Sequence, residues 1–269
     1  MVTTGSQETA REELVHYDVE GSPDGVATIT LDSPHNRNAL SRQLVTELAG
    51  HLERAEADDA VRVVRLVSSG RVFCSGADMS EATADGMGEG TKAIVAIQRR
   101  IVSMSKPVVT VVRGAARAGG IGIVAASDIV ISAADATFAL TEVKLGLAPA
   151  VISLTVFPRL TSRAAAYAAL TGAVFTGAEA VPMGLVTRSV SAEELDGAAD
   201  EVCAELATGA PQGLRETKAL LARDLLARID ADAGPMSELS ARLFGSDAAR
   251  EAMHAFLSRP KSRPTSQKP

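Results

Sequence analysis

Short β-branched runs alternate with stretches of helical spacing over the first two thirds of this chain. Strands are predicted at Val26–Leu31, Val61–Val67, Pro107–Val112 and Asp128–Ser132. Helices are predicted after an N-cap at Ser41 and over Thr91–Met104. A chain in which strands and helices take turns folds into α/β layers, so we expect an α/β core of roughly 190 residues.

The last part of the chain follows a different pattern. Helical spacing alone is seen there, at Ala192–Ala207, Pro211–Ile229 and Asp247–Ser258. We therefore divide the chain into an α/β core at 1–190 and a helical region at 191–269. The first ~15 residues and Pro260–Pro269 are predicted to be loose ends. The acidic, glycine-rich segment Thr83–Gly90 is predicted to be a mobile surface loop.

Composition excludes several classes of function. The 269 residues carry a formal charge of −6 and only 3% aromatic residues, so neither a cationic surface nor base stacking favours nucleic acid. Cys74 and Cys203 are too few and too far apart for a disulfide scaffold or a zinc site. No apolar run reaches ~18 residues and the N-terminal segment is polar. We expect a soluble, cytoplasmic protein that binds no nucleic acid, membrane or metal.

Two segments of small residues follow directly after predicted strands. The first is Phe73–Ser80, and the second is Gly114–Gly122, which leads into a predicted helix at Gly120–Ala126. Proteins of the α/β class bind ligands at such strand ends. Glycine lets a backbone N–H approach a ligand closely, and the amides of a helix N-terminus favour negative charge.

Three interpretations fit these glycines. They can be tight turns between packed elements. They can form a dinucleotide site, since Gly120–Ala125 matches G-x-G-x-x-A, although eight positions separate Val112 from Gly120 where that fingerprint closes the strand directly. They can also form a split oxyanion hole, with one backbone amide from each segment.

Further motifs, in their order and spacing, resemble the crotonase superfamily, the enoyl-CoA hydratase/isomerase family, over nearly the whole chain. The matching pieces are Asn36–Leu40, Phe73–Ser80, Lys106–Pro107, Arg113–Gly120, Ala126–Asp128, Phe138–Glu142, Leu145–Gly146, Leu170–Gly172 and Met183–Val186. The resemblance implies a ββα-spiral core with a C-terminal helical region that helps to form trimers, often paired into hexamers.

By this resemblance, the backbone N–H groups of Ala77 and Gly119 form an oxyanion hole for a thioester carbonyl, and Gly120 starts the helix that adds its dipole. Fixed amides stabilise the charge that proton removal or water addition places on the thioester oxygen. A steric interpretation also fits, because small residues suit the junction of a strand and a helix.

The acid/base positions depart from the family pattern. Two-carboxylate hydratases carry a glutamate three positions after the oxyanion glycine, and here that position is Gly122. The second glutamate aligns with Glu142, whose place between apolar stretches favours burial and a raised pKa. A solvated carboxylate at a helix start is the simpler interpretation. Ala150 stands where dienoyl-CoA isomerases and some dehalogenases of the family have an aspartate, which argues against those activities.

The resemblance also implies contacts to the acyl-CoA. The implied residues are Arg37, Ala39, Asp78, Met79, Gly120, Phe256, Arg259 and Lys261. Arg37 lies in the motif near the adenine pocket of relatives, and the closing helix supplies an aromatic residue to adenine and a cation to a phosphate. Met79 is expected to line the acyl or pantetheine path, and Asp78 to fix its own loop by binding backbone amides.

The function that the resemblance favours is hydration of a 2-enoyl-CoA, including branched or carboxylated ones. The alternative is a Δ3,Δ2-enoyl-CoA isomerase, because one glutamate suffices to move a proton between C2 and C4. A non-catalytic acyl-CoA-binding family member is a third interpretation. No cofactor is expected besides the CoA of the substrate, and the implied protein partner is further copies of this chain.

Overall fold

A computed structural model describes residues 12–19, 24–78, 81 and 88–257, with side chains described as far as residue 255. In these ranges the chain forms two sheets with helices around them. The larger sheet contains, in spatial order, β1 (Val15–Asp18), β2 (Val26–Leu31), β3 (Val63–Ser68), β5 (Val108–Val112), β7 (Ile129–Ala133) and β10 (Arg188–Val190). The smaller sheet contains β4 (Val72–Cys74), β6 (Ala115–Arg117), β8 (Thr137–Ala139) and β9 (Phe175–Thr176).

Parallel pairing dominates both sheets. In the larger sheet only β1 is antiparallel, to β2, and the other neighbours are parallel. In the smaller sheet β4, β6 and β8 are parallel, and β9 is antiparallel to β8. All five residues of β5 are buried, which is typical of a central parallel strand covered on both faces. The predicted α/β class is confirmed.

The helices fill the connections and the C-terminal region. They are α1 (Arg42–Ala57), α2 (Gly88–Ser103), α3 (Gly119–Ala126), α4 (Ala150–Arg159), α5 (Ser162–Thr171), α6 (Gly177–Met183), α7 (Leu195–Ala207), α8 (Pro211–Phe244) and α9 (Asp247–Leu257), with 3-10 turns at Pro34–Asn36 and Glu142–Leu145. Ser41 caps α1 as predicted, since its Oγ accepts a hydrogen bond from the Leu44 amide at 3.3 Å.

Several helix bounds differ from the predicted ones. The helix predicted to end at Ile229 continues as α8 to Phe244, although Pro235 lies inside it and removes one backbone hydrogen bond. Ser237 and Ser240 are buried, so packing along the extra turns outweighs the break. Gly88–Gly90 were predicted to belong to the Thr83–Gly90 loop, but they form the first turn of α2. Thr91 Oγ1 donates there to the Gly88 carbonyl at 2.9 Å.

An ion pair with a buried lysine attaches α8 to the core. Lys218 is only 4% exposed, and its Nζ donates to Asp128 Oδ2, to the Ile101 carbonyl and to the Lys106 carbonyl, each at 2.8 Å. Burial lowers the pKa of Lys218, while the Asp128 carboxylate opposes that shift. The C-terminal helical region is thus attached through a fully bonded buried ammonium group.

Candidate active site

Three neighbouring strands of the smaller sheet end at the same edge. Cys74 of β4 lies opposite Ala116 of β6, and Arg117 of β6 lies opposite Ala139 of β8. The residues that follow are Ala77, Gly119 and Glu142, each two or three positions beyond its strand. Neighbouring strands lie roughly 5 Å apart. The parallel pairing therefore brings the three predicted catalytic positions together.

The loop that carries Ala77 is held by the segment before α1. Ala77 forms an isolated parallel bridge with Leu40, whose amide donates to the Gly76 carbonyl at 2.8 Å. The Ser75 amide donates to the Arg37 carbonyl at 3.1 Å. Gly76 has φ +100°, a conformation that L side chains rarely adopt, and this turn directs the chain into Ala77.

The start of α3 lies against this loop. A Cβ placed on Gly76 would be 2.8 Å from the Ala118 Cβ and 3.7 Å from the Gly119 nitrogen, so the two backbones are in contact. Ala118 precedes the helix with φ 44° and ψ −122°, a strained conformation for alanine. Among the described residues, neither the Ala77 nor the Gly119 amide has a hydrogen-bond acceptor. Two such amides side by side can stabilise a negatively charged oxygen.

The remaining glycines of α3 serve close packing. All eight residues of this helix are buried. A Cβ on Gly120 would be 2.6 Å from the Cys74 Cβ, and a Cβ on Gly122 would be 2.9 Å from the Ile152 Cγ2. These helix contacts account for the G-x-G spacing, so the spacing by itself gives no support to a dinucleotide site. Helix α3 also begins at Gly119, one residue before the predicted start.

Glu142 is the first residue of the 3-10 turn after β8. Its Oε2 is buried and has no hydrogen-bond partner in the described part of the chain. Burial raises the pKa of Glu142 from the usual 4.5 to about 7. A carboxyl group with this pKa exchanges a proton readily near neutral pH, as a general acid or base must.

The 3-10 turn that carries Glu142 is held by Gly146 and by the packing of α9. Gly146 ends the turn at φ 70°, and its amide donates to the Glu142 carbonyl. A Cβ on Gly146 would lie 3.0 Å from the Ala248 carbonyl oxygen, so α9 packs directly on the turn that carries Glu142. The first turn of α9 contributes Ala249, which is fully buried.

Comparison with known proteins identifies the family. A family model described as enoyl-CoA hydratase/isomerase matches residues 21–266. The chain belongs to the enoyl-CoA hydratase/isomerase family. The resemblance seen in the motifs, and the crotonase-type fold that it implied, are confirmed.

Individual relatives include hydratases and isomerases. The chain is 32% identical to 1,2-epoxyphenylacetyl-CoA isomerase of Escherichia coli K12, over 71% of this chain and 76% of that protein. It is 30% identical to the short-chain-enoyl-CoA hydratase of Clostridium acetobutylicum, over 88% of this chain and 92% of that protein. The crystal structure of an enoyl-CoA hydratase from Mycobacterium avium superposes with a TM-score of 0.85 and 45% identity, covering 92% and 97% of the two chains.

Some of the residues that this family implies for CoA binding lie beside the site. Arg37 is exposed and has φ 59°, and Ala39 is buried next to it. Asp78 Oδ2 accepts a hydrogen bond from Asn36 Nδ2 at 3.4 Å, so a side-chain amide contributes to fixing the loop. Gly120 is packed on Cys74 inside the core, so its side-chain position cannot touch a ligand.

Other predicted contacts fall outside the description. Met79, Arg259 and Lys261 lie outside the described residues, and the side chain of Phe256 in α9 is also outside them. Cys74 is fully buried, and burial raises the pKa of its thiol to about 12, so it is no nucleophile.

Sequence reasoning missed two buried polar residues next to Gly122, Gln98 of α2 and Thr155 of α4. The available signal was a glutamine at a helical spacing of four from Ile94, on the apolar face of α2.

In the described ranges no group of three or more His, Cys, Asp or Glu side chains is arranged to hold a metal ion. None of the described helices is long and apolar enough to cross a membrane.

Proposed function

We propose that this protein stabilises the enolate of an acyl-CoA thioester and moves a proton on its acyl chain with a single carboxylate. The amides of Ala77 and Gly119 hold the thioester oxygen, and Glu142 takes and returns the proton. The observation that carries the proposal is the buried, unpartnered Oε2 of Glu142, whose group has a pKa of about 7, at the same strand ends as the two amides.

The reaction that this arrangement favours is isomerisation of a 3-enoyl-CoA to the conjugated 2-enoyl-CoA. The Glu142 carboxylate removes a proton from C2, and the electron pair shifts onto the thioester oxygen, where the two amides stabilise it. The same carboxyl group then returns the proton to C4, and the double bond moves to C2–C3. Atoms and charge balance with one acid/base residue.

Hydration of a 2-enoyl-CoA is the second candidate, and the sequence alone placed it first. It is supported by the relatives that are named enoyl-CoA hydratases. Addition of water needs one group to take a proton from the water and one to give a proton to C2. Gly122 has no side chain to supply the second group, and Gln98 and Ile152 lie close beside it, so we propose isomerisation ahead of hydration.

CoA carries phosphates, and Arg37 beside the Ala77 loop is the cation that we propose for them among the described residues. No cofactor takes part in the proposed reaction, because the CoA belongs to the substrate. Assembly into trimers or hexamers stays a prediction from the family resemblance.

Product analysis tests the proposal directly. The full-length protein is incubated with panels of 3-enoyl-CoA and trans-2-enoyl-CoA thioesters, and products are separated and weighed by mass spectrometry. Isomerisation yields a 2-enoyl-CoA of unchanged mass, and hydration adds the mass of one water. In deuterated solvent, partial exchange at C2 reports the proton carried by Glu142. Binding of acyl-CoA without turnover of either panel would instead indicate a non-catalytic family member.

A further inference from the structure

Gly122 faces two neighbouring helices, and both fill the space beside it. A Cβ on residue 122 would lie 3.2 Å from both Cδ and Oε1 of Gln98 on α2, and 2.9 Å from Cγ2 of Ile152 on α4. A longer side chain at this position would have to displace Gln98 or Ile152. The position of the missing glutamate is therefore closely flanked by other side chains.

Gln98 is held there by hydrogen bonds to other elements of the core. The Thr155 hydroxyl of α4 donates to Gln98 Oε1 at 2.7 Å and lies 3.1 Å from the Gly122 carbonyl oxygen. Gln98 Nε2 donates to the Ile94 carbonyl at 3.4 Å. Both Gln98 and Thr155 are fully buried. A buried polar group with its partners in place resists displacement, because moving it leaves those partners unpaired.

The position of Gln98 along α2 relates it to the proposed oxyanion hole. Ile94, one helical turn earlier, has its Cδ1 at 3.6 Å from where a Cβ on Gly119 would be. The same face of α2 thus lies against Gly119 through Ile94 and against Gly122 through Gln98. Gln98 thus contacts α3 at Gly122, about one helical turn after Gly119, whose amide is proposed to hold the thioester oxygen.

We infer that Gln98 determines which reaction the site performs. It occupies, with Ile152, the space beside residue 122 that a longer side chain would need, and Thr155 holds it there, so the site keeps one carboxylate. An amide cannot transfer a proton as a carboxylic acid does, so this arrangement supports proton relocation and disfavours water addition. Gln98 acts by occupying space and is a specificity-determining residue. The inference rests on the proposed function, since it assumes that Glu142 is the acid/base group.

Restoring the second carboxylate tests this. The variants are Gly122→Glu alone, Gln98→Ala alone, and the two together. For Gln98→Ala/Gly122→Glu we expect hydration of a short trans-2-enoyl-CoA to rise at least about tenfold over Gly122→Glu alone, because acid–base groups contribute about 10²–10⁴-fold to rate. The rate is followed by loss of the conjugated enoyl-thioester absorbance, with the product confirmed by mass. The ratio of hydration to isomerisation is the readout, since a merely structural role for Gln98 would lower both rates together.

The matched control is Gln98→Ala/Gly122→Gln, which has the same size and cannot donate a proton as an acid. It should show no gain in hydration. If Gly122→Glu alone hydrates as well as the double variant, Gln98 is not the barrier and the inference fails. A folded double variant that hydrates no faster than its glutamine control would overturn it as well.

Failure of the proposed function would look different. It would appear in the unmodified protein, as an absence of isomerisation of any 3-enoyl-CoA, whereas the inference is decided by comparing hydration between variants. If the glutamate variants do not fold, Gly122→Ala provides the second measurement. Its loss of melting temperature should be smaller in the Gln98→Ala background, and an equal loss in both backgrounds would show that Gln98 does not close this position.

Discussion

Arg117 and Ala139 lie opposite each other on neighbouring parallel strands, two residues before Gly119 and three before Glu142. This pairing sets the distance between the proposed oxyanion amide and the proposed acid/base group, because each lies only two or three residues beyond the paired strand ends. Arg117 is itself fixed, since its Nη1 donates to the Thr137 carbonyl at 2.5 Å and its Nη2 to Thr137 Oγ1 at 3.0 Å. The site is thus built on the rigid end of a sheet, which suits preorganised electrostatic stabilisation.

Removal of the Gly119 N–H is expected to lower kcat by about 10²–10³-fold, the usual effect of losing one oxyanion donor. Replacement of Gly119 by glycolic acid, which turns the amide into an ester, removes the proton without adding atoms. A side chain would be a poor test, because a Cβ here would lie 2.7 Å from Leu40 Cδ1. Single-turnover kinetics with saturating acyl-CoA measures the chemical step.

The control for this ester is the same replacement at Gly213, an exposed residue in the first turn of α8. Its amide also belongs to a helix start, yet it lies on a different element. Equal losses from the two esters would show that the Gly119 amide has no special role in the reaction.

Arg37→Glu is expected to raise KM for acyl-CoA by about tenfold or more while changing kcat less, because a phosphate contact is worth about 1.5–3 kcal/mol. The difference between the variants should shrink as salt is added, since screening weakens an exposed charge pair. Arginine and glutamate meet the same backbone strain at φ 59°, so the charge is the main change. Steady-state kinetics at low and high salt provide the comparison.

Arg163→Glu, an exposed arginine on α5, is the matched charge reversal. It should leave KM near the unmodified value. A KM that rises equally in both variants would mean that overall charge, and not a site at Arg37, attracts the CoA.

The parts of the molecule that could be predicted from sequence are those encoded in local pattern. The strand Val26–Leu31 was predicted with its observed bounds, and the cap at Ser41 was found, because β-branched runs and capping residues act over a few positions. The strands of the smaller sheet are two or three residues long, too short for any periodicity to show. Their pairing nevertheless creates the site.

In the site, too, residues in local motifs could be predicted and residues brought together by packing could not. Ala77, Gly119 and Glu142 could be proposed because each follows a strand and matches a family motif. The role of Gln98 could not, since its neighbours Gly122 and Thr155 come from two other helices, 24 and 57 positions away. A glutamine on an apolar helix face indicates that something polar is buried, and only the packing of three helices shows what it meets.

Lys218→Met is expected to lower the free energy of unfolding by about 2–5 kcal/mol, because it takes the ammonium donor away from the half-buried Asp128 carboxylate and from the Ile101 and Lys106 carbonyls. Chemical denaturation at constant pH measures this. The control is Arg99→Met, which removes the exposed pair of Arg99 on α2 with Asp230 on α8. That pair should be worth less than about 1 kcal/mol. Similar losses in both variants would contradict the distinction between buried and exposed pairs.

Glu142→Gln is expected to lower kcat by about 10²–10⁴-fold while leaving acyl-CoA binding within a few-fold, because the amide keeps the size and loses proton transfer. Exchange of the C2 proton with deuterated solvent should fall by the same factor. Glu205→Gln, on an exposed face of α7, should change neither rate. Retention of more than about a tenth of the activity by Glu142→Gln would show that another group is the base.

The buried carboxyl of Glu142 also predicts how activity and stability depend on pH. The base form is the charged one, so kcat should rise with pH through about 7 and then level off.

Stability should change in the opposite direction. In the unfolded chain Glu142 loses its proton near 4.5, whereas the folded protein holds that proton up to about 7, so the folded state binds more protons between these values. The free energy of unfolding therefore falls as pH rises through this window, by an amount on the order of 3 kcal/mol. Glu142→Gln lacks this loss, so urea denaturation should find it more stable than the unmodified protein at about pH 8 but not at about pH 4.5. A stability difference between the two proteins that is the same at both pH values would mean that Glu142 does not titrate with a raised pKa, and the single-base mechanism would lose its physical support.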